Sequence, residues 1–380
     1  MSRKPAAIIY WDHLLRTWET FVKSQGEELQ SFVPYYVGSR RVLGLPLPEE
    51  RTLVVNKGGL AGKVAEILFK VWGIAPSFYR DLRQIQPALI HAHTGGGATW
   101  AFPISQFLGI PMIVTFHGFY ATVKDEYARN SFYVHQVYLR RREVLKREVK
   151  LFIAVSEFIK TKLLEQGFPP EKIRVHYIGV DLEKFKPDPA VPREPFVLFV
   201  GRLVERKGCE YLIRAMTRVQ AVMPDIELVV IGEGYQRSAL EKMAARSLQR
   251  YRFLGAQSPA AVKTWMNRAK VFSVPSVTVE SGDCEAFGMV FAESQAMGLP
   301  AVSFASGGIP EAVRHGETGF LATERDSQEL AAYILRLLED PTLWQQFSHN
   351  GKQRVHTLFN LQIQTRILED IYEAVLREEV

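Results

Sequence analysis

The chain has 380 residues, of which 47% are hydrophobic and 23% charged, with a net charge of +6. This is the composition of an ordinary globular protein, long enough for two domains with a core each. Its two cysteines, Cys209 and Cys284, exclude a disulfide framework and fit a reducing compartment, while the basic balance suits anionic partners such as nucleotides or phospholipid headgroups.

In chain order, "MSRKPAAIIYW" holds too short an apolar run for a signal peptide, and "AAIIYW" at 6–11 reads as a first strand. The most apolar helical stretch, "VAEILFKVWGIAPSFY" from Val64, is broken by Glu66, Lys70 and Pro76, which excludes a membrane span there. Strands follow at 88–93 ("ALIHAH"), 111–116 ("PMIVTF") and 151–156 ("LFIAVS"), with a strongly basic helical segment, "LRRREVLKREVK", at 139–150. That segment reads as a solvated helix face with acid–base pairing, or as a membrane-surface helix. "KFKPDPAVPREP" at 184–195 carries four prolines among charges and reads as a linker.

The pattern then runs a second time. Strands are expected at 196–201 ("FVLFVG"), 227–232 ("ELVVIG"), 271–276 ("VFSVPS") and 300–305 ("PAVSFA"). Helices are expected from Cys209 ("CEYLIRAMTRVQ") and Ser327 ("SQELAAYILRLLED"), and a last amphipathic helix covers "NLQIQTRILEDIYEAVLREE". Consecutive aliphatic runs alternating with helices mean α/β units with parallel sheets buried on both faces. The expected organisation is a first domain at 1–186, a linker at 187–194 and a second domain at 195–361. Ligands of such sheets bind beyond the carboxyl ends of the strands, so the informative residues should follow strands.

Three stretches do. In "GDCEAFGMVFAESQAMGLP" at 282–300, Gly288, Met289 and Val290 open a helix whose first N–H groups lack intrahelical partners, a ready anion site. Glu285 lies just before that turn and Glu293 two turns on, so a ligand with a phosphate at the helix start could offer hydroxyls to both. The residues alone leave open that Glu285 merely favours the helix dipole and that Glu293 is a solvated helix residue. In "FVGRLVERKG" at 199–208, Arg202 and Lys207 follow a strand ending at Gly201, suited to a diphosphate or to a solvated loop. In "VTFHGF" at 114–119, His117 follows a strand of the first half. "HAH" at 91–93 has no third ligand spaced to complete a metal site.

Together, "GRLVERKG", with Arg-x4-Lys, and "EAFGMVFAE", with Glu-x7-Glu, resemble a known family, as do "TFHG", "IAVSEFIK", "IGVDLEKFKP", "GLPAVSFASGGIPEAV" and "HGETGFL" in their order. The family is the retaining, nucleotide-sugar-dependent glycosyltransferases of family 4, with the GT-B fold. The resemblance spans roughly 85–380. It implies two Rossmann-like doubly wound domains facing across a cleft, with the helix at 362–380 returning to the first domain. The catalytic set it implies is His117, Arg202, Lys207 and Glu285. Arg202 and Lys207 would hold the diphosphate with the amides of Gly288, Met289 and Val290. Glu285 would bind sugar hydroxyls and Glu293 the ribose, with Gly201, Gly232 and Phe287 completing the donor site. His117 would reach the donor sugar from the first domain. The donor would be a UDP- or GDP-sugar, the acceptor a saccharide or lipid-linked saccharide, without metal and without nucleic acid. The resemblance points to surface-polysaccharide synthesis in the cytoplasm, with peripheral contact at the inner face of the membrane.

The chain also departs from the family. Members often carry a Gly-Gly-x-Glu loop after the first strand; here "DHLLRTWETFVKSQGEE" has no glycine pair, so either Arg16, Thr17 or Trp18 substitutes or that contact is lost. Phe119 and Tyr120 stand where an acidic residue often follows the His-Gly pair. Two other classes stay open. One is a non-catalytic nucleotide-sugar-binding protein on the same fold. The other is a dinucleotide-dependent oxidoreductase, from "VVIGEGYQRSA" at 229–239, though Arg237 occupies the third glycine position. Lys207→Ala or Glu285→Ala is expected to remove transfer and leave the fold intact, on the view that both are exposed cleft residues.

Overall fold

The computed structural model describes residues 4–379. They divide into two compact units, one running to Gly179 and resuming at Leu361, the other Val180–Asn360.

The first unit has eight strands: β1 Ala6–Tyr10, β2 His13–Leu14, β3 Val33–Arg41, β4 Thr52–Asn56, β5 Pro87–His93, β6 Met112–Phe116, β7 Leu151–Ala154 and β8 Ile173–Val175. All pair in parallel in the order β2-β3-β1-β5-β6-β7-β8, with β4 also on β3. Every residue of β1 and β6 is buried, as an aliphatic strand with helices on both faces requires. The second unit has six parallel strands: β9 Phe196–Val200, β10 Glu227–Ile231, β11 Tyr251–Phe253, β12 Val271–Phe272, β13 Ala301–Phe304 and β14 Gly319–Ala322. Their order is β11-β10-β9-β12-β13-β14. In each sheet the winding reverses once, between β1 and β5 and between β9 and β12. Chains leave the carboxyl ends there in opposite directions and open a crevice.

The eight expected strands are all present. Those not expected are mostly short or at the sheet margins, β2 having two residues and β4 pairing with β3. β8, β11 and β14 are short edge strands, and β3 carries Pro34 and ends in two exposed arginines. The proline-rich segment differs from the linker reading, because it lies along the second unit. Arg268 pairs with Glu194 at 2.6 and 2.9 Å, Asp188 N–H donates to Asn267 at 3.1 Å, and Arg193 donates to the Met297 carbonyl at 2.6 Å. The units divide at 179/180 and 360/361 instead.

The terminal helix, Leu361–Leu376, completes the first unit. Leu368, Tyr372 and Val375 pack with Ala7, Leu89, Ile113 and Leu151. The Glu369 carboxylate accepts from the N–H groups of Gln30 (2.7 Å) and Ser31 (2.5 Å), and the Tyr372 hydroxyl meets His91 Nδ1 at 2.7 Å. Tyr372→Ala is therefore expected to cost about 3–5 kcal/mol in urea unfolding, and Tyr372→Phe only about 1 kcal/mol, for the lost hydrogen bond. Among the described residues no helix is long and apolar enough to cross a membrane.

Candidate functional site

Two loops flank the crevice of the second unit. After β9 the chain passes Gly201 and Arg202, makes a tight turn at Glu205–Lys207 and enters the helix Cys209–Val222. After β12 it runs through Ser276 and Asp283–Glu285 into the helix Met289–Ala296. The loops meet at Glu285. Lys207 Nζ donates to its Oε2, and Arg206 Nη1 and Ser276 Oγ lie 3.4 Å from the same oxygen. Arg206 also bonds the Cys284 carbonyl (3.3 Å) and pairs with Asp283 (3.2 Å).

Burial alone would push the Glu285 carboxyl up; Lys207 and Arg206 overcome it and bring the group down to about 2. Burial holds the Lys207 ammonium below its ordinary value, Glu285 opposes this, and Arg206 adds to it. The Lys207 and Glu285 side chains are only 13% and 12% exposed. They are a mostly enclosed pair rather than exposed cleft residues, so alanine at either position costs stability as well, contrary to the expectation from sequence.

The other expected residues divide. Gly288 caps its helix with φ = 85°, a conformation that favours glycine, and leaves the Met289 and Val290 amides at the open first turn. Arg202 is exposed and forms no ion pair among the described residues. The Glu293 carboxyl is raised to about 7 by burial, with Lys184 only partly opposing. The Phe287 side chain is not available to a ligand: it is buried against Phe359, centroids 5.0 Å apart. The Gly201 amide donates to Ile231 O (3.0 Å) and the Gly232 amide to Gly255 O (2.9 Å), so neither N–H is free for phosphate.

In the first unit's crevice, His117 follows β6 and touches His93, at the end of β5. His93 Nδ1 and His117 Nε2 are 2.9 Å apart and their rings stack at 5.2 Å. His91 stacks beneath His93 at 4.3 Å and is held by Tyr372 and Thr115. Trp11 and Phe21 flank His117 at 5.8 and 5.1 Å. Burial lowers His91 and His117 to about 3 and His93 well below its usual range, so the column is neutral at ordinary pH. His117 Nδ1 is buried with no hydrogen-bond partner among the described residues. No group of three His, Cys, Asp or Glu among them is placed to hold a metal ion.

The family model for glycosyl transferases group 1 matches residues 181–354, and that for Glycosyltransferase Family 4 matches 35–184. The amylovoran biosynthesis glycosyltransferase AmsK of Erwinia amylovora is 32% identical over 63% of this chain and 62% of its own length. The chain thus spans less than two thirds of that relative. Glycogen synthase of Mycobacterium tuberculosis is 30% identical over 78% of this chain and 71% of its own. The chain belongs to glycosyltransferase family 4. Its fold is the family's GT-B fold, shared with HepE of Anabaena: TM-score 0.77 and 21% identity over 98% of this chain and 100% of that one.

Family 4 is a retaining family. Its Arg-x4-Lys and Glu-x7-Glu patterns fall at the carboxyl ends of β9 and β12. After the first strand, where members of the family often carry a glycine loop, the chain enters a polar network. Asp12 accepts from Ser39 and pairs with Lys70 (3.1 Å), which pairs with Glu66 (3.0 Å). Arg16 lies over Trp18 at 5.5 Å, and both are exposed. The Gly-Glu-Gly loop at 232–234 packs on Leu203, whose N–H donates to the Glu233 carbonyl at 2.8 Å; Arg237 pairs with Glu233 and with Glu241 (2.8 Å). The sequence reading missed Arg206, Asp283, Ser276 and the His93 contact. The adjacent cation in "ERKG" and the two-residue spacing of "HAH" were the available signals.

Proposed function

We propose that the protein moves a sugar, with retention, from a UDP- or GDP-sugar to a hydroxyl of a saccharide or lipid-linked saccharide acceptor in surface-polysaccharide synthesis. The observation that carries this reading is the Lys207–Glu285–Arg206 cluster beside the open first turn of the helix Met289–Ala296, at the reversal of the second sheet. Departure of the nucleotide concentrates negative charge on the diphosphate. Lys207, the exposed Arg202 and the Met289 and Val290 amides are the fixed donors that would take it up, doing the work a metal ion does elsewhere. Glu285, kept ionised by its two cations, accepts hydrogen bonds from sugar hydroxyls, and Glu293 from the ribose. His117, kept neutral by burial, is not suited to transfer a proton. The proton of the acceptor hydroxyl passes to a leaving phosphate oxygen.

The names of the relatives support surface-polysaccharide synthesis and leave two bases open. AmsK and the putative colanic acid glycosyltransferase WcaL of Salmonella typhimurium are biosynthetic glycosyltransferases. HepE has been crystallised with UDP-glucose, whereas a Corynebacterium glutamicum relative is a GDP-mannose-dependent mannosyltransferase. Thermal unfolding with UDP, GDP, ADP or NAD, each with EDTA, tests the reading. UDP or GDP is expected to raise Tm, corresponding to about 2.7 kcal/mol at a hundred times Kd. A shift with NAD alone would return the chain to the oxidoreductase class. Binding without turnover across donors and acceptors would make it a nucleotide-sugar-binding protein.

A further inference from the structure

The helix Gly59–Trp72 of the first unit has apolar residues on both sides. Inward it buries Gly62 and Phe69. Outward, Leu60, Val64, Ile67 and Val71 recur at helical spacing, and Trp72 and Ile74 extend the row. Leu60 is 80% exposed, Trp72 64%, and the other four lie between 46% and 57%. The charges around this row are one-sided. Lys63 lies exposed among the apolar residues, whereas Glu66 is enclosed, bound to Asn56 and Lys70. Lys57 precedes the helix. The next helix, Pro76–Ile85, exposes Arg80 and Arg83, with Arg83 over the exposed Phe107 ring at 4.5 Å. Asp81 is partly exposed and is paired with Lys57 at 3.1 Å.

We propose that this face docks the protein on an anionic lipid bilayer, the helix lying along the surface with its apolar row among the acyl chains. The helical row from Leu60 to Trp72 runs about 18 Å, enough for a surface helix and short of the ~30 Å that crosses a bilayer. Lys63, Arg80 and Arg83 then meet lipid phosphates, and Trp72 sits at headgroup depth. A second copy is a poorer occupant: the exposed charges beside the row are the cations Lys63, Arg80 and Arg83, and the carboxylates of these two helices, Glu66 and Asp81, are already paired, so two such faces would meet like charge with like. The basic helix Tyr133–Glu148 is also a poorer docking face, because four of its five cations are engaged, Arg140 alone being without a partner among the described residues. Arg142 pairs with Asp125 (2.6 Å), Lys146 with Glu143 (2.7 Å) and Arg147 with Glu148 (2.7 Å), and Arg141 bonds the Thr99 carbonyl (3.0 Å).

The test is co-sedimentation of the full chain with phosphatidylcholine vesicles, alone or mixed with phosphatidylglycerol, at low and high salt. No nucleotide is needed, so the result stands apart from the transferase reading. The wild type is expected to pellet with the anionic vesicles at low salt. The double variant Ile67→Glu, Val71→Glu should lose about tenfold or more in partitioning with an unchanged Tm, since both side chains are largely exposed. Lys63→Glu should lose less, and its loss should shrink in high salt. Equal pelleting of the double variant, or no pelleting of the wild type, overturns the proposal. So does a wild-type dimer in light scattering that the double variant disperses, which would assign the face to a second copy.

Discussion

Lys207→Ala is expected to lower kcat/KM by about 10²–10³-fold, the loss seen when one preorganised donor to a developing anion is removed. The size follows from the enclosure of Lys207: an ammonium held in a site that excludes most water interacts with a diphosphate more strongly than a surface lysine does. The same substitution leaves Glu285 to Arg206 alone. Stability should fall by about 1–3 kcal/mol, less than for an orphaned buried charge, because the guanidinium at 3.4 Å remains. Lys207→Arg should keep most of that stability and recover only part of the activity, since a planar fork does not replace a compact point charge. The measurements are kcat/KM at saturating acceptor and urea unfolding on the same preparations. Full activity in Lys207→Ala would remove Lys207 from the diphosphate site.

Glu293 is expected to make both stability and donor binding depend on pH near neutrality, in opposite senses. Burial raises its carboxyl to about 7 from an ordinary 4.5, so between those values the folded chain holds a proton that the unfolded chain has released. This contribution is fully present below about 4.5 and lost as pH rises through 7, amounting to about 3 kcal/mol. Glu293→Gln should therefore be the more stable protein at pH 8 and nearly equal to the wild type at pH 4. A ribose diol bound to the carboxylate favours the ionised form, so nucleotide affinity should rise about tenfold from pH 6 to pH 8 in the wild type and stay low and flat in Glu293→Gln. Isothermal titration of UDP or GDP at the two pH values decides it. A flat wild-type profile would take Glu293 out of the ribose site.

The central strands were legible because a strand covered on both faces has to be a run such as "AAIIYW" or "MIVTF". β8 and β11 were not, because an edge strand of three residues with at most one of them buried needs little apolar patterning. Within the site, the resemblance supplied Arg202, Lys207, Glu285 and Glu293; spacing alone left their roles open. Arg206 was hidden for a physical reason. "ERKG" offers three adjacent charges, and only the fold shows that Arg206 and Lys207 turn toward an acid 79 and 78 residues away. His93 was more accessible. A strand puts residues two apart on one face, so "HAH" already implied two stacked imidazoles.

The return of the helix Leu361–Leu376 to the first unit makes the second unit an insertion in the first. The bridge between Val180 and Asn360 closes that insertion at its base. Vectorial synthesis therefore meets the two units in unequal states. By the time Asn360 has left the ribosome, the second unit has all its strands and can fold. The first, begun earlier, still presents the uncovered faces of Leu89, Ile113 and Leu151 until Leu368, Tyr372 and Val375 arrive. The half made first is the half finished last, and the interval between them is when this chain most needs protection from aggregation.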